Sequence, residues 1–289
     1  MPCHEHNKHV MSFVAIVCLV LAIVSEQDAR PDLAATRLQT GSFSFRTLVD
    51  GNEVGRSRIE IRSSADSGNY VFSNLVIGSF SQSWEAVASP KFAPVSAKFS
   101  FGQGSAARTA FELSYQGNRV TGFVIPQKEP SKRREVNEAI TADTVDQRID
   151  WAAVMALKEY IEGQKFQFRV YDPGTGNSLV SVRIGETQTI AVPAGSFETM
   201  RVSYRIDKRG YAETYEVFVT KQTPRFMVKE KFPNGSMIEL WSLPNPHPTR
   251  LSICSDSIAE SAEGTSDSES TWLRKPKRQP RNDSGLPLR

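Results

Sequence analysis

The strongest constraint on this chain is a two-residue rhythm. From Gly41 onward, short runs of alternating apolar and polar residues are broken by Gly, Asn, Asp or Pro. Phe43 and Phe45 share one face of SFSFRTLV, and the turn DGNEVG follows. In RSRIEIR, Ile59 and Ile61 share a face, with Arg58, Glu60 and Arg62 opposite. Met200, Val202, Tyr204 and Ile206 alternate with Arg201, Ser203 and Arg205 in the same way. Such alternation is the mark of an antiparallel sheet covered on one side. Roughly fifteen strand-like runs can be counted, and a sheet of that extent must twist and curl.

One segment breaks the rhythm with a helical period. In DWAAVMALKEYIE, Trp151, Val154, Leu157 and Ile161 recur at three- and four-residue spacing, with Met155 beside them. Asp150 can accept from free N–H groups at the start and Gly163 can stop the helix, which predicts a helix over Asp150–Glu162. Its apolar stripe needs an apolar partner, and the inner face of the sheet supplies one. The expected fold is therefore mostly β: an antiparallel sheet curled into an open half-barrel, with one helix packed on the concave face. The β domain is expected over residues 40–243. Between its halves, Pro126–Glu138 has two prolines, mixed charges and no alternation, and reads as an exposed loop.

The ends of the chain read differently. Phe13–Val24 is an unbroken apolar run of twelve residues, too short for the ~20 that span a bilayer. It fits the apolar centre of a secretory signal, so residues 1–29 are expected to be a signal peptide or anchor. A buried N-terminal helix is the alternative. Residues 244–289 lose the alternation; SDSIAESAEGTSDSES is acidic and WLRKPKRQPR is basic. That composition buries too little surface to offset ordering entropy, and a disordered tail is expected. The protein is thus expected to be exported, periplasmic or extracellular, with no transmembrane span beyond the N-terminal signal.

The chemistry is restricted by what the middle lacks. All four His and all three Cys lie outside the stretch between Ala29 and Pro246. That excludes from the domain His-based triads, Cys nucleophiles, His or Cys zinc sites and disulfides. His4, His6 and His9 belong to the leader, so no metal site is assigned to them. No phosphate-binding loop, dinucleotide fingerprint or nucleophile elbow occurs. Asp143, Asp146 and Asp150 lack the oxygen spacing of a calcium loop and read as helix-start acids. With a net charge of +3, no nucleic-acid partner is expected. No enzyme activity, cofactor or metal is expected either. Carboxylates remain the rival: Glu230 and Glu239 come near each other across a hairpin, while Glu213 and Glu216, three apart, face opposite sides. The aromatics are more suggestive. Trp84, Trp151, Phe166, Phe168, Tyr204 and Trp241, with Met155, are candidates to line a ligand cavity inside the curled sheet, against the plainer reading that each is core.

The second half of the chain carries a helix before a strand ending in VYDP, then GE-x-x-x-I-x-VPAG-x-F, then PR-x-M-V and a closing G-x-x-x-EL. In these features it resembles an uncharacterised family of exported bacterial β-rich proteins. In shape it is similar to the periplasmic lipoprotein carriers, open half-barrels whose concave side holds acyl chains. The resemblance implies an exported, non-catalytic envelope protein holding an apolar or lipid-like ligand. Two alternatives stand beside it: a carboxylate-dependent hydrolase of envelope glycans, and an interaction module that binds an envelope protein partner through a sheet edge. VPAG itself reads as structural, because Pro193 cannot donate to a ladder, Gly195 permits the turn and Phe197 re-enters the core.

Overall fold

The computed structural model describes residues 31–78, 81–102, 106–127 and 129–244. The leader expected at 1–29 and the tail expected at 244–289, except Pro244, lie outside the described residues. The first half of the chain forms β1 (Gly41–Val49), β2 (Asn52–Ser63), β3 (Tyr70–Gly78), β4 (Gln82–Ala88), β5 (Pro94–Phe101), β6 (Arg108–Gln116), β7 (Arg119–Val124) and β8 (Arg134–Ala139). The second half forms β9 (Thr144–Asp146), β10 (Lys165–Asp172), β11 (Gly176–Val192), β12 (Gly195–Lys208), β13 (Tyr211–Thr220), β14 (Met227–Lys231) and β15 (Met237–Ser242).

All fifteen strands belong to one sheet, in the order β8-β7-β6-β5-β4-β3-β2-β1-β15-β14-β13-β12-β11-β10-β9. Two meanders build it. One runs outward from β1 to β8, and the other returns inward from β9 to β15, which pairs antiparallel with β1. Only β9 and β10 pair in parallel. Local chemistry sets the corners. Asp50 and Gly51, at φ 49° and 80°, make the left-handed two-residue turn that matches strand twist between β1 and β2. At Gly122, φ is 141° and a Cβ would stand 2.0 Å from the Glu112 carbonyl, so only glycine fits against β6.

Alternation decides what is inside, as the sequence predicts. Phe45, Ile61, Phe72, Leu113, Tyr171, Tyr204, Ile206 and Leu240 are fully buried, and one contiguous apolar core joins both meanders. No backbone ladder joins β8 to β9 among the described residues, so the sheet is an open half-barrel. Side chains draw its two ends together instead. The Tyr115 hydroxyl on β6 donates to Asp146 Oδ2 on β9 at 2.5 Å. The Tyr115 ring meets Tyr171 on β10 edge-on at 6.2 Å, and Asn177 Nδ2 on β11 donates to the Ala139 carbonyl of β8 at 3.1 Å.

The helix α1 spans only Asp150–Met155, not Asp150–Glu162. It lies on the concave side with all six residues buried, and the Trp151 ring meets Phe72 edge-on at 6.4 Å. Its early end has a visible cause. Arg225 Nη1 donates to the carbonyls of Met155 (3.1 Å) and Leu157, and Arg37 Nη1 donates to that of Ala156 at 2.9 Å. The guanidinium groups satisfy carbonyls that a further turn would otherwise have to satisfy, and cations suit a helix C-terminus. Leu157 instead forms an isolated bridge with Leu33, and Ile161 is 56% exposed. Asp150 is not the cap that the sequence suggests. A short 3-10 turn, Gln147–Ile149, precedes the helix, and Asp146 Oδ1 caps it by accepting from Arg148 N–H at 2.9 Å.

The segment Pro126–Glu138 is not all loop. Its end, from Arg134, belongs to β8, the strand at one end of the sheet. Of its six residues only Val136 is buried, so no alternation of apolar residues marks the strand. Exposed Arg134, Glu135 and Glu138 make this edge a poor template for further pairing.

Candidate functional site

The concave side encloses a cavity of about 710 Å³. One wall comes from β2–β6, where Ile59, Val76, Trp84, Phe99 and Phe111 present apolar surface. Phe99 stacks on Phe111 at 5.5 Å, which fixes both rings. The facing wall comes from β12–β15: Tyr204, Tyr215, Glu213, Glu230 and Ile238. The floor is the start of α1, with Gln147, Arg148, Asp150 and Trp151. The β14–β15 hairpin, Phe232 to Ser236, lines it as well.

Strand phase explains why carboxyls face this space. Lys229 and Lys231 point outward, where they pair with Glu239 and Glu216 at 2.8 and 2.9 Å. Glu230 between them must point inward. There it lies opposite Ile238 in the β14–β15 register and accepts from the Tyr204 hydroxyl at 3.1 Å. Tyr204 stacks on Tyr215 at 5.0 Å, and Tyr215 donates to Glu213 Oε2 at 2.8 Å. Lys208 Nζ takes that same oxygen at 2.5 Å. Asp150 accepts from Trp151 N–H at 2.6 Å.

Burial sets the protonation of this group. It pushes Glu230 up to about 8, with the nearby Asp150 charge adding to the shift against a smaller lowering by Tyr204. It pushes Asp150 up to about 7, against lowering by the Trp151 N–H, Arg148 and Lys208. Tyr204 is held well above its ordinary value by the same burial. Arg148 is occupied: Nε reaches Asp146 Oδ1 at 2.5 Å, Nη1 reaches Asp172 Oδ2 at 2.6 Å, and Nη2 donates to Asp146 Oδ2 and the Tyr171 carbonyl. Its guanidinium also lies 4.6 Å from the Phe111 ring centroid. Three polar atoms facing the cavity, Ser57 Oγ, Asn74 Oδ1 and Gln147 Oε1, have no protein hydrogen-bond partner. No cluster of His, Cys, Asp or Glu with metal-holding geometry occurs among the described residues.

The seven residues singled out from the sequence divide. Trp84, Trp151 and Tyr204 line the cavity. Met155, Phe166 and Phe168 are buried core instead, Phe166 and Phe168 stacked on each other at 6.5 Å. Trp241 is on neither: it is 38% exposed, with the Arg56 guanidinium 4.0 Å from its ring centroid. The carboxylate pair expected across the hairpin is corrected too. Glu230 and Glu239 are one register position out of step, so Glu239 faces the other side, fixed by Arg46 and Lys229 at 2.8 Å each. Burial raises Glu239, but those two cations outweigh it and hold the group below its ordinary value. Glu213 and Glu216 do face opposite sides, as expected, with Glu216 on outer lysine and arginine partners. Glu230 is bonded to Tyr204 instead, and the acid whose charge acts on it is Asp150, which the sequence presents only as a helix-start acid.

Fold and cavity together define a class: a single-sheet β half-barrel around a pocket that is apolar on one wall and acidic on the other. The chain belongs to the family described as protein of unknown function DUF3108, whose model matches residues 33–240. That agrees with an uncharacterised family as read from the VYDP and VPAG segments. A search of curated proteins finds no match. Among solved structures, the chain is similar to a β-barrel-like protein of domain of unknown function DUF1849 from Brucella abortus, at 10% identity and TM-score 0.48, over 72% of this chain and 98% of that one. It is also similar to a protein from Bacteroides fragilis described as exported, with a YmcC-like fold, at 12% identity and TM-score 0.34, over 73% and 98%. No helix among the described residues is long and apolar enough to cross a membrane.

Proposed function

We propose that this is an exported, non-catalytic protein of the bacterial cell envelope that holds an apolar or lipid-like ligand in the half-barrel. The observation that carries this reading is the cavity of about 710 Å³ walled by Ile59, Val76, Trp84, Phe99 and Phe111. Ligand sites are concave and mostly apolar, commonly ~300–1,000 Å³, with a few placed polar groups. Export is supported by the twelve-residue apolar run Phe13–Val24 near the N-terminus.

The test is mass spectrometry of organic extracts from protein purified without detergent. A stoichiometric lipid or other apolar compound is expected, and clean extracts from folded protein overturn the reading. The absence of catalysis is tested on the same preparation with a panel of envelope glycans. Turnover that Glu230→Gln abolishes would replace the binding protein with a hydrolase.

A further inference from the structure

The cavity carries more acid than its own cations match. Asp146, Asp150, Asp172, Glu213 and Glu230 lie in or beside it, whereas Arg148 is shared between Asp146 and Asp172, and Lys208 sits on Glu213. Asp150 and Glu230 are left without an ion pair among the described residues. Asp150 has one hydrogen bond, from Trp151 N–H, and Glu230 has one, from Tyr204. A carboxylate has about four acceptor positions, so most of the acceptor capacity of both groups is unused. Across the cavity, Ser57 is only 6% exposed and its Oγ has no protein partner. It sits on β2, three strands from Glu230 in the order β2-β1-β15-β14, so it faces the same cavity at a different point of the wall.

We propose that the cavity selects a cationic amphiphile, with a primary ammonium head at Asp150 and Glu230 and an apolar tail against Trp84, Phe99 and Phe111. This rests on the binding function proposed above and names the chemistry of its ligand. Buried charge is costly unless it is matched. An ammonium supplies three donors and the missing positive charge, while a carboxylate head would add negative charge where Arg148 and Lys208 are already paired with Asp146, Asp172 and Glu213. The upward displacement of Asp150 and Glu230 fits this: their surroundings disfavour the ionised form, and a bound cation restores it.

The experiment compares three probes of equal chain length, dodecylamine, dodecanol and dodecanoate, each below its micellar concentration, on the full chain. Binding is read by tryptophan fluorescence, since Trp84 and Trp151 line the cavity, and by calorimetry. Dodecylamine is expected to bind roughly tenfold or more tighter than dodecanol, with dodecanoate weakest. Glu230→Gln should bring the amine-to-alcohol ratio toward one, while Glu216→Gln on the outer face leaves it unchanged. Equal affinity for amine and alcohol, or a preference for dodecanoate, overturns the head-group assignment and leaves the apolar-ligand function standing. Failure of all three probes to bind overturns both. The comparison on the unmodified chain decides the matter even if Glu230→Gln does not fold.

Discussion

Lys229, Glu230 and Lys231 are neighbours in sequence and end on different sides of the sheet. The lysines find acids on the outer face, Glu216 for Lys231 and the buried Glu239 for Lys229, and Glu230 is carried inward to Tyr204, near Asp150. Tyr215 and Glu213 from β13, Lys208 from β12 and Arg148 ahead of α1 complete the charged surroundings. The pH dependence of stability follows from the direction of the shifts. Between about 4.5 and 8 the unfolded chain has lost the Glu230 proton that the fold retains. Asp150 does the same between about 3.8 and 7. The folded state then binds more protons, so stability falls as pH rises through that window and levels off above it. Thermal unfolding of the unliganded protein should show a falling midpoint from pH 5 to pH 8, and Glu230→Gln should flatten the slope. An unchanged slope in the variant would remove Glu230 as its source. At this scale the sequence is partly readable. Alternation with Arg201, Ser203 and Arg205 places Tyr204 inside, whereas Glu230 reads as one of a pair with Glu239, and its inward position comes only from the strand register. That Asp150 and Glu230 line the same cavity is not readable, since one is at a helix start and the other on a strand about eighty residues away.

Elements were legible where an apolar period marks them. The runs around Phe43, Ile59 and Met200 appear as β1, β2 and β12 because one face is buried and the other wet. Edge strand β8 was hidden, since a strand with solvent on most sides has no period to display. The helix was overextended for a different reason. Helical spacing continues to Ile161, but a tertiary contact stops the helix at Met155. Arg225, 70 residues further on, takes the Met155 carbonyl and lies 4.2 Å from the Tyr160 ring centroid. Arg225→Ala should leave the buried carbonyls of Met155 and Leu157 without donors. The expected loss is about 1–3 kcal/mol, read as a lower midpoint in urea. A variant as stable as the parent would show that those carbonyls find other partners. Gly122→Ala tests the close approach of β7 to β6 in the same way, with a cost of about 1–3 kcal/mol from backbone strain alone and more from the contact with Glu112.

For the whole molecule, what matters is how the sheet meets itself. Its perimeter is completed by the Tyr115–Asp146, Tyr115–Tyr171 and Asn177–Ala139 contacts rather than by a ladder, with Arg148 holding Asp146 and Asp172 in place on one side of that seam. Arg148 is 8% exposed and Asp146 fully buried, so removing the guanidinium strands a buried carboxylate. Arg148→Ala should cost about 3–5 kcal/mol in equilibrium denaturation, with amide exchange rising first in β9 and β8. Loss confined to α1 would mean that Arg148 serves the helix and not the seam. None of this closure is visible as a motif. DTVDQRID looks like a run of acids before a helix, and its partners on β6 and β10 are set by the curl of the sheet.

The seam also bears on size. A barrel knitted shut by backbone bonds has its bore fixed by strand number and stagger, and can widen only in whole strands. A perimeter fastened by a few side chains has no such stagger across its seam, and its width depends on the lengths and rotamers of the residues that meet there. The bore of this half-barrel is therefore set by Tyr115, Asp146 and Asn177 as well as by the number and stagger of its strands.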